Sequence, residues 1–123
     1  MKISYPQAVN LINEAYEKAV AVQPKLNATV TFIDPQTQAD DLRDISEEAP
    51  LYGWTFALKD NISTKGILTT ASSRILEGYV PVFDAEVVTR LKNAGASFIC
   101  KSSMDELGMG STNMTAATGP VWN

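Results

Sequence analysis

The chain has 123 residues, with 10 Lys+Arg, 14 Asp+Glu, one Cys and no His. Its 45% hydrophobic and 20% charged residues are the balance of a globular chain, either one compact domain or a portion of a larger one. The missing histidine excludes Ser-His-Asp and Cys-His pairs within the chain, and imidazole metal ligands with them. Acid–base chemistry must therefore rest on Lys, Asp, Glu, Tyr or Ser. The lone Cys100 cannot form an internal disulfide, which suits a reducing cytoplasm. A net charge of −4 gives no reason to expect nucleic acid bound directly. No apolar run approaches the roughly 20 residues that span a bilayer. Met1–Pro6 has no apolar leader region, so neither a secretory route nor a membrane contact is expected. Without that route the sequons at Asn27, Asn61 and Asn113 carry no meaning.

Charge is uneven along the chain. Residues 1–50 carry 8 acidic and 4 basic side chains, and residues 51–123 carry 6 of each. The first part reads as a solvated helical segment and the second as an α/β core. Ser4 is placed to cap a helix with Pro6 in its first turn. Val9, Leu11, Ile12, Ala15, Tyr16, Ala19 and Val20 recur at helical spacing, and Pro24 closes the helix. Ala28–Ile33 reads as a short strand. Asp34-Pro35 starts a short helix to about Ile45. From Gly53 the run Trp54–Leu58 predicts a buried strand ending in Lys59-Asp60-Asn61. Asp84 is placed to cap a helix over Ala85–Ala94, with Val87, Val88, Leu91 and Ala94 on one face and Gly95 ending it. Ser97–Cys100 predicts a second buried strand ending in Lys101. Ser103 is placed to cap a further short helix through Leu107. Strand, helix, strand in this order predicts a right-handed parallel βαβ crossover. The Gly-, Ser- and Thr-rich stretch from Gly108 to Asn123 reads as loop, as if the chain stopped in mid-domain.

Near-motifs fail on inspection. Gly95 to Ser102 misses a P-loop because Cys100 stands where the second glycine belongs. Gly108-Met109-Gly110 lacks the third glycine of a dinucleotide fingerprint, with Asn113 in its place. Lys59 has chemistry of its own. A lysine at the carboxyl end of a buried strand sits where sites form in α/β sheets. Desolvation there lowers its pKa, and a neutral amine can take a proton from a serine. The plain alternative is a surface lysine reaching off a strand end. Lys101 carries the same ambiguity, and Asp60 and Asn61 read equally as turn residues bonding local backbone.

The stretch Gly53–Asn61 resembles the Lys-Asp-Asn segment of the amidase signature family. Thr64–Ser72, Tyr79–Val88, Leu91–Ala96 and Met104–Ser111 follow in that family's order, and Gly119–Asn123 is similar to its Gly-Pro-x-x-Asn. Within the family the chain is most similar to the A subunits of glutamyl-tRNA(Gln) amidotransferases. It departs from the pattern at Thr55, Cys100 and Ser103, where Pro, Gly and Asn are usual, and at Met114-Thr115, where Glu-Asn is usual.

The resemblance implies an α/β fold: a helical N-terminal segment over 1–50, then over 51–123 the first βαβ part of an amidase-signature mixed sheet. It implies a Ser–cis-Ser–Lys mechanism with Lys59 as the base. The two serines belong to a glycine-rich segment that these residues do not contain. Neither Ser72-Ser73 nor Ser102-Ser103 has that context, so the 123 residues alone should be inactive, and Lys101 serves as the control for Lys59. The implied function is glutamine hydrolysis that supplies ammonia for converting Glu-tRNA(Gln) to Gln-tRNA(Gln). B and C subunits are the implied partners, tRNA(Gln) is met only through the complex, and ATP and Mg are used by the B subunit. No cofactor or metal is expected on this chain. Two further readings are a general amidase acting on a small or fatty amide, and a non-catalytic piece with a binding or regulatory role. Removed from a larger sheet, such a unit is expected to be marginal or to self-associate, with Trp54–Leu58 and Ser97–Cys100 as the exposed edge.

Overall fold

The computed structural model describes residues 2–123. Helix α1 spans Tyr5–Leu26, strand β1 Thr29–Phe32, helix α2 Pro35–Leu42, strand β2 Thr55–Lys59, helix α3 Glu86–Asn93 and strand β3 Ser97–Ser102. The three strands form one mixed sheet in the order β1-β3-β2. β2 and β3 run parallel, joined through α3, while β1 lies antiparallel on the other side of β3. Residues before and after position 50 thus share a single sheet.

Local chemistry explains most element ends. Ser4 caps α1, its N–H donating to Gln7 Oε1 at 2.9 Å. Pro24 does not close that helix. It sits in the last turn, where its ring fits helical φ, and the chain leaves the helix at Asn27 with φ 54°. Asp34 caps α2 by accepting from the Gln36 and Thr37 N–H groups. The cap expected of Asp84 is not formed: Ala85 occupies that position, and Asp84 instead accepts from Lys65 N–H (2.7 Å) and pairs with Lys92 (3.1 Å). On α3, Val88 is buried but Val87 is exposed. Ser103 starts no helix, because a single 3₁₀ turn at Glu106–Gly108 follows Asp105, with Leu107 left-handed at φ 54°.

Two apolar clusters lie on the sheet. Ala8, Ile12, Leu42 and Tyr52 pack on Ile99, and Ile33, Leu58, Val88 and Phe98 form the second. A bulge in β3 allows this division. Phe56 pairs with Phe98 and Ala57 with Cys100, leaving Ile99 as the extra residue. Phe98 and Lys101, three apart, then oppose Phe56 and Leu58, two apart, and share one face. β3 is the central strand, so Ser97–Cys100 is buried on both sides and forms no edge. The expectation of a buried Trp54–Leu58 run also needs correction: only Leu58 of the five is buried, and Trp54 is 60% exposed.

Candidate functional site

Lys59 is the last residue of β2, opposite Ser102 in the parallel register. Side chains alternate along a strand, so burying Leu58 turns Ala57 and Lys59 to the other face, where both are exposed. The apolar run therefore does not desolvate this amine within these residues. Lys59 lines an open cleft of about 510 Å³ with Ser103, Asp105, Gly110, Asn113 and Val121 among its walls.

Another part of this cleft's lining is organised by Asp105. Its carboxylate accepts from Asn113 N–H (3.0 Å), from Thr115 N–H (3.4 Å) and from the Thr115 hydroxyl (3.1 Å). The Asn113 N–H foremost, with the Thr115 donors, holds the Asp105 carboxyl below the ordinary carboxylate range. Gly110 passes so close that a Cβ there would meet the Asp105 carboxyl at 2.5 Å. Ser103 Oγ and Asn113 Oδ1, both on this cleft, are buried polar atoms without a hydrogen-bond partner.

Asp60 shapes the chain behind Lys59. It is fully buried, and one carboxylate oxygen accepts from Thr70 N–H (3.2 Å), the Thr70 hydroxyl (2.6 Å) and Ser72 N–H (3.0 Å). These bonds fix a turn whose Ala71 and Ser72 sit at φ 48° and 50°. The second oxygen of Asp60 is buried and unpartnered. Asn61 beside it is exposed. The serines of this region are structurally engaged, apart from Ser103. Ser72 Oγ accepts from Met104 N–H (3.2 Å), and the Ser73 hydroxyl donates to Glu106 (2.7 Å).

The desolvated lysine is Lys101. It is fully buried on the Leu58 face, and its amine donates to Ile62 C=O (2.5 Å), Thr64 Oγ1 (2.9 Å) and Thr69 Oγ1 (2.9 Å). Burial pulls its pKa down to about 8, against the opposing charges of Asp60 and Asp84. The sequence gives little warning of this, because a regular strand would place Lys101 and Phe98 on opposite faces.

A parallel strand–helix–strand unit that presents a lysine at a strand's carboxyl end, beside an open cleft, is the frame of an α/β enzyme site. The Amidase family model matches residues 10–123, and the chain belongs to that family. Over 98 residues it is 59% identical to the A subunit of glutamyl-tRNA(Gln) amidotransferase from Methanospirillum hungatei, covering 80% of this chain and 21% of that protein. The crystal structure of the A subunit of glutamyl-tRNA(Gln) amidotransferase from Thermotoga maritima superposes with a TM-score of 0.83 at 32% identity, over 98% of this chain and 25% of that one. Allophanate hydrolase from Kluyveromyces lactis superposes at 0.81 with 31% identity, over 96% of this chain and 20% of that one. The chain spans about a fifth to a quarter of the length of the curated relatives it matches.

Proposed function

We propose that these residues are the lysine-bearing part of the A subunit of a glutamine-hydrolysing amidotransferase. The observation that carries the reading is the position of Lys59: it ends β2 beside an open cleft, in a chain 59% identical over 98 residues to the A subunit of such an enzyme. Lys59 is the base. It takes a proton, through a bridging serine in a cis peptide, from the serine that attacks the glutamine amide carbon. Both serines come from the rest of the length that the relatives have. The attack gives an acyl-enzyme and releases ammonia; water then frees glutamate. When that remaining length folds over the exposed face of β2, it shields the Lys59 amine from bulk water. The ammonia passes to a B subunit, which uses ATP and Mg²⁺ to activate glutamate on tRNA(Gln), with a C subunit bracing the pair in the cytoplasm. No helix of the described residues is long and apolar enough to cross a membrane. A general amidase is the second reading, favoured by the likeness to an allophanate hydrolase.

The test is ammonia release from glutamine and from simple amides by the assembled complex, for wild type, Lys59→Ala and Lys59→Arg. Loss of a general base costs about 10²–10⁴-fold. Arginine should not rescue, since guanidinium stays protonated. Near-wild-type turnover in either variant removes Lys59 from the chemistry. Turnover of simple amides without glutamine favours the second reading.

A further inference from the structure

Fully buried lysines are rare, and one whose three N–H groups are all satisfied has been given a task by the fold. Lys101 is such a residue, and its acceptors have a telling origin. Ile62 C=O, Thr64 Oγ1 and Thr69 Oγ1 all belong to the segment that follows Lys59. Ile62 is the residue whose own N–H donates to Lys59 C=O at 2.9 Å, closing the turn that Lys59 opens. Lys101 pairs with Leu58, and its neighbour Ser102 pairs with Lys59. The amine therefore grips the turn from the covered face of the sheet while the Lys59 side chain leaves from the open face.

Three arrangements pin the same segment. Lys101 holds residues 62–69, Ala71 N–H donates to Asp60 C=O at 3.0 Å, and the Asp60 carboxylate gathers Thr70 and Ser72. Only the first reaches across from the neighbouring strand through a side chain. Direct proton transfer by Lys101 is disfavoured by the same geometry: all its donors are engaged, it lies out of water, and the cleft at Lys59 is on the other face.

We propose that Lys101 is a positioning residue for Lys59: its three bonds to Ile62, Thr64 and Thr69 fix the turn after β2 and so set where the Lys59 amine stands. The proposal rests on the reading of Lys59 as the base, and it makes Lys101 more than the neutral control that the sequence suggested. A base displaced by about 1 Å can lose about 10²-fold in rate without any change in substrate binding.

The experiment compares the assembled amide-hydrolysing complex as wild type, Lys101→Met, and the pair Thr64→Val with Thr69→Val. Methionine keeps the length and removes the donors. The valines remove two acceptors and leave the amine in place, so one arm survives if the other fails to fold. Steady-state kinetics and amide hydrogen exchange are read on each. The expected result is a fall in kcat of about 10- to 100-fold with KM held within about twofold, in both arms. Exchange at Ile62 and Ala71 should be about tenfold faster or more. Unchanged exchange at those amides in Lys101→Met overturns the clamp. Faster exchange with undiminished kcat overturns its bearing on catalysis. Lost turnover in Lys101→Met beside full turnover in the valine pair overturns positioning in favour of a direct chemical role. If wild type releases no ammonia from any amide, the functional reading falls, and the exchange measurement still decides whether Lys101 holds the turn.

Discussion

At the scale of the residue, the two strand-borne lysines divide along one physical line, which is water. Lys101 is out of it, and its folded pKa of about 8 lies below the ordinary 10.5. Between those values the unfolded chain keeps a proton that the folded chain has released. Stability from this group therefore rises with pH from about 8 to 10.5, and below about 8 the cost of burying the charge is present in full. The slope approaches at most about 1.4 kcal/mol per pH unit. Urea unfolding of wild type and Lys101→Met at several pH values isolates it, because other titrations cancel in the difference; wild type should gain on the variant across the window, and a flat difference would contradict the assignment. Which lysine is buried was not legible from spacing. A β-bulge at Ile99 turns Lys101 onto the covered face, and bulges leave no composition mark when the extra residue is itself apolar. Strand alternation alone, counted from Leu58, does place Lys59 and Ala57 on the face opposite the core. The apolar run hid that count. Lys59-Asp60-Asn61 was legible as a candidate site through its resemblance, whereas the orphaned Ser103 and Asn113 oxygens on the same cleft depend on long-range packing no local pattern encodes.

At the scale of the element, periodicity and turn chemistry gave the three helices and three strands at nearly the right places, and errors collect at caps. Asp84 has the right residue type for an N-cap, but its carboxylate serves Lys65 and Lys92 instead, a tertiary demand that outweighs the local one. Gly95 shows the opposite case, in which the local rule held and the fold adds a second reason. It follows α3 with φ +89°, the left-handed conformation a terminating glycine supplies. A Cβ there would also lie 3.0 Å from Tyr52 Cα, which is backbone and cannot swing away. Gly78 has a similar φ of +78° with nothing within 4 Å of its would-be Cβ. Gly78→Ala should therefore cost only left-handed strain, about 1–2 kcal/mol. Gly95→Ala should cost about 1–3 kcal/mol more through overpacking against Tyr52, whose ring belongs to the α1–α2 cluster. Chemical denaturation of the two variants side by side checks this, and equal costs would mean that the Tyr52 contact yields freely.

At the scale of the whole molecule, the sheet ends at β2, whose outer edge has no strand beside it among the described residues. β1 ends the other side, four residues long and broken in register between Thr29 and Thr31, which blunts it. The β2 edge is preceded directly by the exposed Trp54, and the molecule carries further uncovered apolar side chains. Trp54 and Phe83 are more than half exposed, and Ile75, Val82 and Met109 are each close to 80% exposed. Single exposed apolar residues are ordinary, but this number in a chain of 123 residues suits a surface that another layer covers. The relatives, nearly four times as long, have the chain with which to cover it. The 123 residues by themselves should therefore self-associate through β2 and its surroundings. Light scattering coupled to size exclusion should give a mass that climbs with loading concentration, and the melting temperature should depend on concentration as well. Thr55→Pro probes the edge. Proline has no N–H to add to a ladder and is tolerated at the first residue of a strand. If β2 is the contact, that variant should shift the population toward monomer without unfolding the α1–α2 cluster, which packs around Ile99 of the central strand. A concentration-independent monomer with a sharp, cooperative melt would show instead that this sheet is stable with its edge in water, and the surface would then need no covering layer.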